Sequence, residues 1–451
     1  MSMSDSDDKL QDFLLKHPET EVVEMILPDI SGGLRGKWIT RDKFDKLLNG
    51  SLKLPLSSLV CDIWGRDVEA WVFETGDGDG YCHPDPRTLV AVPWQERPMG
   101  QALVSMRQVD GAPCGYDCRY ILSLLMERFS KLGLTPVVAT EMEFYLLLRE
   151  DDKLGRPGHT QVDRVGGSLA AGNTYSVEVM TEMAALMHDI RDACSLQGLP
   201  VDTLIKESAP SQYEINLHHT ADALVAADHA VMLKRAIKAL ARKHGLRATF
   251  MAKPFGHLAG NGMHVHCSVL DSDGNNAFSD GGDRGNSLLR EAVAGCLATM
   301  EDAMLLFAPN LNSYRRFQRG THAPLAPCWG YENRTVSVRI PADTAAATRI
   351  EHRVAGADAN PYLVIAAILG GILHGIEHKL QAPPPQEGNA YNSVPPSLPR
   401  HWPVAQARFC QSDFVRNYLG AEFQHVYGLL KQQELDEFDR QVTPMEYDAC
   451  L

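Results

Sequence analysis

Two glutamates one residue apart, Glu141 and Glu143, sit inside the run VVATEMEFYLLL at residues 137–148. The run is rich in β-branched and aromatic side chains and reads as a central strand. Side chains alternate along a strand, so both carboxylates point to one face. Two such charges repel each other unless a cation sits between them. A solvated strand face would also carry two glutamates, but continuous apolar neighbours are the mark of a buried strand. A second pair, Glu207 and Glu214, flanks the turn Ala209-Pro210-Ser211. Taken alone it reads equally as a loop glutamate and an edge-strand glutamate. In Gly260-Asn261-Gly262-Met263-His264-Val265-His266-Cys267-Ser268 a glycine-rich turn precedes a strand with His264, His266 and Ser268 on one face. Residues 314–353 then concentrate guanidinium groups, among them Arg315, Arg316, Arg334, Arg339, Arg349 and Arg353, around Glu351. Guanidinium forks bind carboxylate and phosphate bidentately. Five carboxylates and a histidine suit two or three hard divalent cations, Mg²⁺ or Mn²⁺. With the arginines, they are the equipment of phosphoryl transfer.

The elements must bring these dispersed groups together. At 451 residues with 44% hydrophobic content, the chain can bury a sizeable core. Its formal net charge of −14 repels phosphate backbones, so no nucleic-acid partner is expected. The N-terminal MSMSDSDDKL lacks the features of a signal peptide, and no uninterrupted apolar stretch reaches membrane-spanning length. Pro361–Ile376 reads as a buried helix. The ten cysteines include no CxxC pair, and a reduced, cytoplasmic protein with no membrane partner is the expectation.

Residues 20–110 read as a small, mostly β domain. Strands are expected at 22–27, 34–39, 68–73, 88–92 and 102–109, a helix at 41–48, and a flexible loop at 76–80. A boundary is expected at Pro113–Gly115, with a larger unit over 114–451. That unit should hold helices at 121–132, 180–197, 224–244 and 286–307, a strand at 135–148, a surface loop at 382–400 and a helical tail.

The ordered set carries more than its parts. It comprises Glu141-x-Glu143, Glu207-x₆-Glu214, GxGMHxH at 260–266, NSYRR at 312–316, NRxxSxRIP at 333–341, RIExR at 349–353 and ANPYL at 359–363. This set resembles the glutamine synthetase superfamily over roughly residues 20–380. The resemblance implies an α+β fold, with a small N-terminal β-grasp domain and a large catalytic domain around an antiparallel sheet. It also implies a ring-shaped homo-oligomer, hexamer or dodecamer, with sites between subunits. Glu143, Glu207 and Glu214 match ligands of one metal; Glu141, His264 and Glu351 match ligands of a second, at the nucleotide phosphates. Arg316 and Gly260 match the glutamate-binding arginine and loop glycine. Arg334, Arg339 and Arg353 match arginines around the transferring group. His266, Ser268 and Arg349 fall at the nucleotide. The implied reaction activates the glutamate γ-carboxylate with ATP and passes it to an amine.

Two departures bear on that amine. Ammonia-using members carry a flap glutamate where this chain has His322, and an N-terminal aspartate where it has Pro55. Both anionic groups that attract ammonium are thus replaced. The pattern LxLPxSxxxxDIxG at 52–65 is similar to the γ-glutamylputrescine synthetase-like branch. A primary amine, positioned by its carbon body, is the expected acceptor, with His322 as or beside the base. Asp62, Trp64, Cys328 and Trp329 are candidates for the amine entrance. The alternatives are an ammonia-using glutamine synthetase and a catalytically silent homologue. Leu258-Ala259 stands where the family has Asp-Asn, which bears on how the glutamate amino group is held.

Overall fold

The computed structural model describes residues 3–151, 155, 157–160, 164–165, 168–169, 173–282 and 284–451. The fold is α+β, built on two large sheets. The first has six strands, in the order Leu34–Thr40, Val22–Pro28, Met99–Arg107, Asp79–Pro84, Leu52–Pro55, with Val90–Ala91 added beside Met99–Arg107. Val22–Pro28 and Leu34–Thr40 form the expected hairpin, turning through Gly32 at φ +85°.

The expected strand at 68–73 is instead the helix Glu69–Thr75, which buries Trp71 and stops at Gly76 in the left-handed conformation. A short apolar run does not distinguish the two periods, and here the core contact of Trp71 decides. The expected loop at 76–80 already belongs in part to strand Asp79–Pro84, while the expected strand at 88–92 is ordered as a strand only at Val90–Ala91.

The second sheet has nine strands. Its main path runs Val201–Lys206, Gln212–Leu217, Thr135–Asp151, Met263–Leu270, Ile350–His352, Val338–Ile340, Trp329–Tyr331. Helices cover it. Ala223–Lys243 is capped by the Asp222 carboxylate, which accepts from two backbone amides. Pro361–His378 starts at the Asn360 cap. It is apolar and long enough to cross a membrane, but 78% of it is buried in the protein, as a core helix. It lies so close to Ser287–Thr299 that a Cβ on Gly295 would stand 2.0 Å from the Gly371 carbonyl oxygen. The helix expected over 286–307 is broken, into Ser287–Thr299 and Met304–Phe307.

A buried ionic network ties the first sheet to this helical layer. Arg119, 2% exposed, pairs with Asp85 at 2.9 Å and with Asp228, which also accepts from the Tyr362 hydroxyl at 2.6 Å. Arg87 extends the chain from Asp85 to Asp222, at 2.7 and 2.8 Å. Breaking a buried pair by removing one member leaves the other charge uncompensated. Arg119→Met is therefore expected to cost about 3–5 kcal/mol of stability, read as a lowered urea midpoint.

Candidate active site

Strand register assembles the site. On the central strand Thr135–Asp151, Glu143 faces Glu214 across one neighbour and Glu141 faces His264 across the other. One strand further, His266 faces Glu351, and Glu351 faces Arg339. All stand on one face, because residues opposite each other in a ladder share a side of the sheet. Glu207 joins from the turn after Val201–Lys206. Its backbone amide donates to the Gln212 carbonyl at 2.9 Å, closing the turn that also leads into Glu214.

Three overlapping ligand groups result among the described residues. Glu143, Glu207 and Glu214 place their carboxylate oxygens within 4.8 Å of one another. So do Glu141, His266 and Glu351, and also Glu141, Glu214 and His264. His264 Nδ1 lies 3.1 Å from Glu141 and 3.9 Å from Glu351. His266 Nε2 is 2.8 Å from Glu141. The expected set Glu141, His264 and Glu351 is thus divided: His266 joins Glu141 and Glu351, His264 joins Glu141 and Glu214, and the two histidines bracket the Glu141 carboxylate.

The electrostatics differ between the groups. Burial, then the nearby Glu207 charge, pushes the Glu143 carboxyl up to about 7. Burial, then Glu143 and Glu141, pushes Glu214 up to about 9. Such carboxylates charge fully only with a cation among them. Glu143 is compensated in part by the Gly262 amide, donating at 2.6 Å, and by the Arg316 and Arg353 charges. Glu141 and Glu351 go the other way. Burial opposes their charge, yet hydrogen bonds from His264 and His266 hold Glu141 well below the usual range. Arg353 and the two histidines likewise outweigh burial at Glu351 and hold it at about 2. Glu351 accepts from Arg339 Nη1 at 2.7 Å and also pairs with Arg353.

The remaining expected residues fall in three places. Arg316 is 5% exposed and donates to the carbonyls of Val354 at 2.7 Å and Arg353 at 3.3 Å. Gly260 and Gly262 let the loop lie against it, since a Cβ at either would meet the Arg316 side chain at 3.0 or 2.7 Å. His266, Ser268 and Arg349 line a cleft of about 720 Å³ at the sheet edge, with His219, Thr344 and Ala347. There Arg349 Nε donates to His266 Nδ1 at 3.2 Å and Nη1 pairs with Asp343 at 2.8 Å. His322 is exposed on the 317–323 turn at φ +55°, and Arg334 is exposed on the turn between Trp329–Tyr331 and Val338–Ile340.

The proposed amine-entrance residues are not gathered beside the glutamates in this chain. Asp62 has no exposed side chain; it accepts from the Trp64 and Arg66 amides, Arg66 Nε and Gln433. Trp64 is 46% exposed and packs against Phe438. Trp329 is buried, with its indole donating to the Pro383 carbonyl at 2.7 Å, and Cys328 is buried beside it.

Two participants were not anticipated. Glu332, at φ +48°, accepts from Arg339 Nη2 at 3.1 Å and so orients it. Gln212 donates to the Gly260 carbonyl at 3.0 Å and to Asn261 Oδ1 at 3.1 Å, tying the glycine loop to the Glu207 turn. Its place inside the Glu207–Glu214 interval was the available signal.

Residues 115–450 match the glutamine synthetase catalytic domain. The chain belongs to the glutamine synthetase family. Its relatives in that family include γ-glutamylputrescine synthetase PuuA of Escherichia coli (strain K12), 40% identical over 441 residues, covering 97% of this chain and 93% of that protein. The γ-glutamylethanolamide synthetase GlnA4 of Streptomyces coelicolor is 33% identical, covering 95% and 92%. A glutamate–isopropylamine ligase of a Pseudomonas species is 33% identical, covering 98% and 97%. A solved structure of a GmaS–ADP complex superposes with a TM-score of 0.86 at 25% identity, over 98% of this chain and 99% of that one.

Proposed function

We propose that this family member joins the γ-carboxylate of glutamate to a primary amine at the expense of ATP, through γ-glutamyl phosphate. The observation that carries the reading is a mismatch between two halves of one site. The carboxylates and histidines suited to holding cations for phosphoryl transfer gather around one sheet face. The two anionic positions that serve ammonium are His322 and Pro55. The amine-ligase activities of the three relatives support the same side.

In this reading Arg316 holds the glutamate α-carboxylate beside Gly260, and the cleft at His266, Ser268 and Arg349 takes the nucleotide. A γ-carboxylate oxygen attacks the ATP γ-phosphorus and ADP leaves. Arg339, Arg353 and Arg334 spread the charge of the transferring phosphoryl group. The amine nitrogen then attacks the acyl carbon, its proton passes toward His322, and phosphate leaves. Mg²⁺ or Mn²⁺, two or three ions held by Glu143, Glu207 and Glu214 and by Glu141, His264 and Glu351, would supply charge neutralisation at the phosphates. Oxygen-rich, mutually repelling donors fit such hard cations.

The six-stranded N-terminal sheet (20–110) is read as the family's β-grasp domain and 114–451 as the catalytic domain. A ring of copies would let the exposed Trp64 edge face the site of a neighbouring subunit. The setting is amine or polyamine catabolism in the cytoplasm. The deciding test is amine-dependent ADP release with glutamate, across ammonium, a diamine, an amino alcohol and branched or aromatic monoamines. A primary amine should exceed ammonium in kcat/KM; a preference for ammonium overturns the reading.

A further inference from the structure

The proline-rich segment 382–400, expected as a free surface loop, is stitched to the chain that carries His322. Gln386 donates its amide to the Trp329 carbonyl at 2.7 Å. Asn333 Nδ2 donates to the carbonyls of Gln386 and Gly388, at 3.3 and 2.8 Å. The Ala390 amide meets Thr335 Oγ1 at 2.9 Å, and the amides of Ser397 and Leu398 share the Leu325 carbonyl at 3.0 and 3.1 Å. The segment therefore backs the whole stretch from 323 to 335.

At its centre stands Tyr391, on the short helix Ala390–Ser393, with 9% of its surface exposed. Its hydroxyl donates to the Ala323 carbonyl at 2.8 Å. The hydroxyl thus bridges the short helix to the backbone one residue after His322. His322 needs such a bridge. It holds φ at +55°, a left-handed conformation that L side chains with a Cβ adopt only when their surroundings impose it. Gly320, two residues earlier, takes φ +77° without that strain. His322 itself is exposed, so its backbone conformation bears directly on where the imidazole points.

We propose that Tyr391 is a positioning residue for the amine step: its hydroxyl clamps the His322–Ala323 backbone and so aims the His322 imidazole at the incoming amine. This rests on the ligase reading above. The phenol does not touch the reacting atoms. It acts through the backbone, so the activation of glutamate by ATP does not depend on it.

Tyr391→Phe keeps the ring and its burial and removes only the bridge. The expected result is about a tenfold fall in kcat/KM for the amine, the share of flap backbones left in the left-handed state once the bridge is gone. KM for ATP and glutamate, and the acyl-phosphate burst without amine, should stay as in the unaltered enzyme. Hydrogen exchange should rise in the peptide spanning 318–326 and nowhere else. His322→Gly supplies a background in which positive φ carries no strain. There, Tyr391→Phe should add no further loss in the amine step. Unchanged amine kinetics and unchanged flap exchange in Tyr391→Phe overturn the proposal, as does a full additional loss in the glycine background. A rise in KM for glutamate would also overturn it, by showing that Tyr391 acts through Arg316. Failure of the unaltered enzyme to form an amide with any primary amine would instead refute the ligase reading, while the exchange experiment would still judge the clamp.

Discussion

Glu143→Gln is expected to lower glutamate-dependent ATP cleavage by about 10³-fold or more, because it replaces one of the three charged ligands of the first metal group with a neutral amide. The same change is expected to make the chelator-treated protein more stable. Glu143 is pushed up to about 7 and Glu214 to about 9, against an ordinary 4.5, by burial and by their neighbours' charges. A carboxyl whose folded pKa is raised binds more protons folded than unfolded. Its stabilisation is complete below the ordinary 4.5 and is lost as pH rises through the folded value. Without divalent ions, stability should therefore fall from about pH 4.5 to about pH 9. The loss is on the order of a few kcal/mol for the cluster. A glutamine at 143 keeps the shape and deletes the repulsion, flattening that slope. Thermal melts in chelator and in Mn²⁺ check this. The unaltered protein should gain strongly from Mn²⁺ at pH 8 and the variant little. An equal gain in both would show that the ion does not sit at Glu143, Glu207 and Glu214.

His322→Ala should separate the two halves of the reaction. The residue is far along the chain from the carboxylates and shares no hydrogen bond with them among the described residues, so formation of γ-glutamyl phosphate should be little changed. The amine step should slow by about 10²–10⁴-fold, the usual contribution of a positioned acid or base. Single-turnover measurement of ADP release with and without amine distinguishes the steps. If the variant loses ADP release to the same extent in both conditions, His322 serves the flap as a whole, and the assignment of proton transfer to it fails.

These two experiments probe parts of the site that differed in legibility. The Glu141-x-Glu143 pair was readable because a strand has a period of two, and charge inside an apolar strand demands a counter-charge. The GxGMHxH strand was readable for the same reason. The helices expected at 121–132 and 224–244 lie within a few residues of Cys118–Lys131 and Ala223–Lys243, because their amphipathic pattern extends over many turns. The strand expected at 68–73 became a helix because five or six apolar residues carry too little periodicity to choose. The loop at 382–400 was assigned to the surface on its prolines; a backbone without ladder bonds still satisfies its polar groups, here against the flap.

By itself, then, the sequence determined the strands that carry the paired glutamates and histidines, and it marked His322 as a departure from the family pattern. Tertiary structure alone decided their pairing. Register set Glu143 against Glu214 and His266 against Glu351, which drew His266 into the second ligand group. Long-range packing turned Trp329 inward, tied Asp62 to Gln433, and placed Tyr391 behind His322. The reason is physical. Local pattern fixes which way a side chain points from its own strand or helix, but contacts between residues tens to hundreds of positions apart depend on how sheets and loops pack, and no short stretch of chain encodes that.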